Sequence, residues 1–167
     1  MQEWFKTKIK YLKQNEDGSV SSKTEEHLVN ALSFTEAESK LQFIMEGFIS
    51  EYNLLDCSKL NIQDVVIDEA FEKFYNVKVQ FISISDSGKE KKITEVYIVQ
   101  AGSLVVANEK MEERMKGSIV DWDIIAISET KFIDAYPYIE SKEVEEEDEP
   151  FQEEDNADVN EAEALHS

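Results

Sequence analysis

An α+β fold built from two tandem ββαβ repeats is the class this sequence predicts, and three observations predict it. Stretches such as WFKTKIKY at Trp4 to Tyr11 and FYNVKVQF at Phe74 to Phe81 alternate with the period of two that marks a half-buried strand. Two other stretches place apolar residues at helical spacing behind a serine. Sliding the chain by 70 residues without a gap gives 14 identities over 64 aligned positions, where composition alone gives about 4. Among them are Lys8/Lys78, Gly18/Gly88, Glu25/Glu95, Ser33/Ser103, Lys40/Lys110, Gly47/Gly117 and Asp64/Asp134. The repeats are assigned to residues 1–68 and 69–138, forming one pseudo-twofold antiparallel-sheet domain, with a disordered acidic tail over 139–167.

Each repeat opens on a strand, Trp4 to Leu12 in the first. Phe5, Thr7, Ile9 and Tyr11 share one face, and Trp4, Lys6, Lys8 and Lys10 share the other. A loop follows, NEDGS with Gly18 or SDSGK with Gly88, where glycine suits a turn that needs positive φ. A second strand, Thr24 to Ala31 or Thr94 to Ala101, returns antiparallel to the first.

The helix comes next. Ser33-Phe-Thr-Glu36 fits a capping box, and Ala37, Leu41, Ile44, Met45 and Phe48 form its apolar stripe. The second helix keeps Ser103 but has Val106 in place of the glutamate, with Leu104, Ala107, Met111 and Met115 as its stripe. Gly47 and Gly117 mark the two C-terminal stops. A third strand follows at Tyr52 to Leu60 and Trp122 to Thr130, parallel to the second and on the outer side of the first. Short β segments close the halves at Val65 to Asp68 and Phe132 to Tyr136.

The net charge of −20 is unevenly spread. From Ile139 onward there are 13 acidic residues and one basic one, so the tail carries −12 and the preceding body −8. No apolar run approaches the roughly 20 residues that span a bilayer, and the N-terminus lacks a signal-peptide pattern. A cytoplasmic location without membrane association is the expectation, the host cytoplasm if a phage encodes the chain. The single Cys57, with only His27 and His166 for company, offers neither a disulfide nor a metal-ligand cluster. No cofactor or metal is expected.

The repeat, the stretch LVNALSFTEAE, and the motifs WFK, MKGS and DAYPY resemble a family of small proteins of unknown function from gut Bacteroidetes and their phages. The resemblance covers roughly Trp4 to Tyr138 and implies a phage or mobile-element setting. The tail stretch Asp148-Glu149-Pro150-Phe151 is similar to the acidic Pro-Phe tip of bacterial single-stranded-DNA-binding proteins, although 16 residues follow Phe151 here. That similarity implies recruitment of replication or virion proteins through the tail.

The function expected from the sequence is non-enzymatic binding of single-stranded DNA during phage or mobile-element replication. Trp4, Lys6, Lys8, Lys10 and Lys13, with Phe74 and Lys78, would form the surface, rings stacking on bases and lysines neutralising phosphates. The bland alternative pairs Lys8 with Glu25 and Lys78 with Glu95 across the hairpins. The runner-up function is a protein-interaction or virion-associated structural factor without nucleic-acid affinity, and mimicry of DNA ranks third. An acid/base pair of Asp64 and Asp134 ranks below surface roles for both, because no phosphate loop or nucleophile elbow accompanies them. His27 and Cys57 read as structural, since Tyr97 and Ile127 take their places in the second repeat. Scattered lysines with an apolar patch would favour the interaction factor; gathered lysines would favour the nucleic-acid binder.

Overall fold

A computed structural model describes residues 1–138. The acidic stretch from Ile139, with Asp148, Glu149, Pro150 and Phe151, lies outside the described residues. The described chain runs β1 (Glu3–Gln14), β2 (Val20–Ala31), α1 (Phe34–Met45), β3 (Asn53–Lys59) and β4 (Asp64–Val66). It continues through β5 (Lys73–Ile84), β6 (Glu90–Ala101), α2 (Leu104–Met115), β7 (Asp121–Glu129) and β8 (Phe132–Tyr136). This is a mixed α+β fold with two helices and two four-stranded sheets, ordered β3-β1-β2-β8 and β4-β6-β5-β7.

The sheets are mixed, which corrects the expectation of an antiparallel sheet. β1 lies antiparallel to both β2 and β3, but β8 joins β2 in parallel, and β4 joins β6 in parallel. Each half therefore lends its last short strand to the other half's sheet. Chain length explains the exchange. β3 sits at the edge of its sheet farthest from the open side of β2, and only residues 60–63 separate it from β4. Four residues reach about 14 Å at full stretch, which leaves no slack for climbing over two strands on a face already covered by α1.

The core has three parts. One lies between α1 and its sheet, built on Phe5, Ile9, Val29, Ala37, Leu41 and Met45. A second lies between α2 and the other sheet, built on Tyr75, Val77, Val99, Ala107, Met111 and Met115. The third joins Trp4, Leu28 and Ala135 of one sheet to Phe74, Ile98 and Val65 of the other, so the sheets meet back to back in a helix–sheet–sheet–helix stack.

The helix ends differ in detail from the sequence reading. Ser33 accepts a hydrogen bond from the Glu36 amide (3.2 Å), but the Glu36 carboxylate turns to Lys40 (3.0 Å), so the reciprocal half of the capping box is not made. Phe48 stands beyond α1 and is 84% exposed, so it leaves the predicted stripe, as does the half-exposed Leu104. Gly117 adopts the left-handed conformation of a helix stop (φ 83°), whereas Gly47 does not. Both hairpin glycines do have positive φ, 83° at Gly18 and 79° at Gly88. Lys40 and Lys110 pin the ends of the second strands, donating to the carbonyls of Asn30 (3.1 Å) and Gln100 (2.8 Å). No helix among the described residues is long and apolar enough to cross a membrane.

Candidate interaction groove

The two rings of the surface proposed for nucleic acid lie inside the protein, while Lys8 is half-buried and Lys10, Lys13 and Lys78 are exposed. Trp4 is 8% exposed and Phe74 fully buried, both in the core between the sheets, so their rings cannot stack on a base. Period-two alternation shows that two faces differ but not that one is wet, and a second sheet covers this one. Lys6 on the same face is half-buried and pairs with Asp56 of β3 (3.6 Å). The register also corrects the cross-hairpin pairing. Lys8 lies opposite Glu26 and Lys78 opposite Val96, while Glu25 lies opposite Ile9 and Glu95 opposite Val79. Glu25 and Glu95 thus stand on the helix-covered faces.

Lys10, Lys13 and Lys23 lie toward the tip of the first hairpin and make no ion pair among the described residues. Lys13 and Lys23 are close enough that the Lys23 ammonium draws the Lys13 pKa below the ordinary lysine value. Lys91 and Lys92 lie on the second hairpin, on β6, and there Lys92 pairs with Glu90 (3.7 Å). The cations are thus divided between two hairpins and an acid-paired strand root.

Glu25 anchors a chain of polar groups that the sequence reading missed. It accepts a hydrogen bond from the Tyr11 hydroxyl (2.6 Å), and its other oxygen lies 3.1 Å from Nε2 of the buried His27. Nδ1 of His27 lies 3.2 Å from the Tyr136 hydroxyl on β8, and the two rings stack at 5.8 Å. With the imidazole proton on Nε2, every member of the chain has a partner. The Glu25 hydrogen bond, then burial, push the Tyr11 pKa up to about 12. Burial, then the Asp134 and Glu25 charges, push Tyr136 up as well. The second half replaces this chain by Glu95–Tyr97 (3.1 Å), with Arg114 above the Tyr97 ring and bonded to Asp64 (2.8 Å). Asp64 and Asp134 each accept from the next residue's amide (2.8 Å), which gives both aspartates a local backbone role.

This polar chain floors one of two adjoining hollows at the end of α1, of about 620 and 1000 Å³, which share Tyr11, Leu12, Ile49, Ser50 and Glu51. The larger extends over Glu38, Gln42 and Glu46 to Tyr52 and Leu54; the smaller extends over Phe48 to Glu25 and Asp134. Glu38, Gln42 and Glu46 recur every fourth residue and so line one side of α1. Burial and then the charges of Glu38 and Glu46 raise the Tyr52 pKa, and burial and then Glu38 and Asp56 raise that of Cys57. Leu12 and Phe48 offer exposed apolar surface at the rim, 72% and 84% accessible.

The charges of this groove work against the helix. Glu46 caps the C-terminus of α1, whose last turn holds no basic residue, although the helix dipole puts negative potential there. A misplaced carboxylate of this kind costs about 0.3–1 kcal/mol. At the same point α2 has Lys116 as its cap and Arg114 in its last turn. Glu38 and Gln42 correspond at the 70-residue offset to Asn108 and Glu112. The buried faces of the two halves agree across that offset, while the groove charges do not.

The chain belongs to a family described as a domain of unknown function, DUF4494, whose model matches residues 3–138. No curated protein matches it.

Proposed function

We propose that this member of the DUF4494 family is a non-enzymatic protein-interaction factor that receives its partner in the groove between α1 and the first hairpin. The observation that carries the reading is the rim of that groove, where Leu12 and Phe48 are left in solvent beside a continuous acidic and aromatic hollow. Singly exposed apolar residues are ordinary, but an apolar rim beside a hollow with polar surroundings is the usual mark of a contact site. Replacing Phe48 with a photo-crosslinking phenylalanine in the full chain, in the cells that encode it, tests this. One discrete protein adduct from position 48, absent from the also exposed Val105 site, is expected; none from either position contradicts the reading.

A second reading keeps nucleic acid in a phage-replication setting. What favours it is the adjacency of Lys13 and Lys23, with Lys10 nearby, on one hairpin without a paired carboxylate among the described residues. It has lost the stacking rings, so the contacts would be to phosphates and single strands would hold no advantage over duplex. Salt-sensitive binding of oligo-dT that Lys13→Glu abolishes would support it.

We infer also that the chain is an internal duplication with a pseudo-twofold relation between its halves. β5, β6 and α2 begin and end 70 residues after β1, β2 and α1, and each outer strand leaves one of its own residues out of the pairing, Leu55 in β3 and Ile125 in β7. The exchanged strands β4 and β8 favour one cooperative unit over two domains divided at residue 68.

A further inference from the structure

We propose that the groove beside α1 takes an extended peptide segment that carries lysine or arginine next to a large apolar residue. The proposal rests on the reading of this groove as a docking site and names the chemistry of its occupant. Five carboxylates, from Glu25, Glu38, Glu46, Glu51 and Asp134, line the two hollows against the lysines Lys10 and Lys13. Glu38, Glu46 and Glu51 make no ion pair among the described residues, although Lys6, Lys40, Lys59, Lys73, Lys92, Lys110, Arg114 and Lys116 are each paired with an acid.

Those three carboxylates leave unneutralised charge around an aromatic wall. Tyr52 lies among them, and a cation over its face would meet both the ring quadrupole and the carboxylates. The place of Glu46 on the helix adds a second argument. It caps the negative end of α1 where α2 has Lys116, so a ligand cation here relieves a repulsion that folding alone leaves in place. The apolar residue of the peptide has its own seat against Leu12, Ile49 and Phe48. A nucleic-acid strand fits poorly, since its phosphates would face the same carboxylates.

The test uses the full 167-residue chain and three fluorescein-labelled heptapeptides. The first is Gly-Arg-Leu-Lys-Phe-Arg-Gly, the second replaces its basic residues with glutamate, and the third replaces its apolar residues with glycine. Each is titrated by fluorescence anisotropy against the native chain and against a Glu38→Asn, Glu46→Lys double variant. That variant carries residues the second half already holds at the same positions, Asn108 and Lys116, so it keeps the fold. The tail beyond Tyr138 is present in both proteins, and the glycine peptide, which keeps all the basic residues, reads its attraction for positive charge.

The expected result is saturable binding of the first peptide, at least tenfold weaker to the double variant, with the other two at least tenfold weaker to the native chain. Equal affinity of the first peptide for both proteins overturns the proposal, and so does preference for the glutamate peptide. Failure of all three peptides to bind, alongside a discrete crosslink from position 48, overturns the cationic ligand and leaves the docking site standing. Failure in both experiments removes the docking site too.

Discussion

Phe74→Ala should unfold more of this protein than any surface reading of its strand would suggest. The ring is fully buried between the sheets, packed with Trp4, Leu28, Val65, Ile98 and Ala135. A phenylalanine side chain buries about 150–200 Å², which at about 25 cal/mol per Å² gives about 4–5 kcal/mol. Measured truncations of this kind fall at about 3–5 kcal/mol, the spread reflecting how far the surroundings collapse into the cavity. The loss is a large share of the roughly 5–15 kcal/mol that holds an ordinary domain together. In a chain of this size a loss of about 3–5 kcal/mol lowers the melting temperature by about 6–20 °C. Urea denaturation followed by circular dichroism and by tryptophan fluorescence reads it directly, with Phe43→Ala as the control. Phe43 is 79% exposed and its truncation should stay within about 0.5 kcal/mol. A cost for Phe74→Ala below about 1 kcal/mol, equal to the control, would refute the buried position and return the ring to solvent.

Three further outcomes follow from the same structure. Tyr136→Phe leaves Nδ1 of the buried His27 without its hydroxyl partner, and should cost about 1–2 kcal/mol in the same urea assay. Tyr11 and Tyr136 hold their protons more tightly folded than unfolded, with Tyr11 raised from 10.0 to about 12. Their contribution is therefore whole below about pH 10 and is lost as pH climbs through that window, so the urea midpoint should fall from pH 10 to 12 and fall less in the Tyr11→Phe variant. Gly88→Ala meets no neighbouring atom within 4 Å but forces a side chain to φ 79°, so a loss of about 1 kcal/mol from backbone strain alone is expected in thermal melts.

The elements were legible in the sequence because their signals are local. Alternation found the long strands to within a few residues, Gly18 and Gly88 located the hairpin turns, and Ser33 and Ser103 located the helix starts. What escaped depends on which surfaces meet. The period of two separates Trp4 from Phe5 but is blind to the second sheet that covers Trp4, so a core ring passed for a solvent-facing one. The placement of β4 and β8 in opposite sheets is fixed by linker length and sheet order together, and neither shows in a strand's own residues. The Tyr11–Glu25–His27–Tyr136 chain draws on β1, β2 and β8, and the replacement of His27 by Tyr97 hid it by making the histidine look dispensable. The groove had one readable trace, the contrast of Glu38 and Glu46 with Asn108 and Lys116.

The proposed docking site places partners at the groove beside α1 and not on the strand face of Trp4. Amide and indole NMR spectra of the ¹⁵N-labelled full chain test it most directly, recorded during titration with Gly-Arg-Leu-Lys-Phe-Arg-Gly and, separately, with oligo-dT. The peptide should shift Glu46, Ile49, Glu51 and Tyr52 while the Trp4 indole stays fixed in both titrations. Shifts of the Trp4 indole and the Lys6 and Lys8 amides with oligo-dT, with the groove unmoved by peptide, would contradict it.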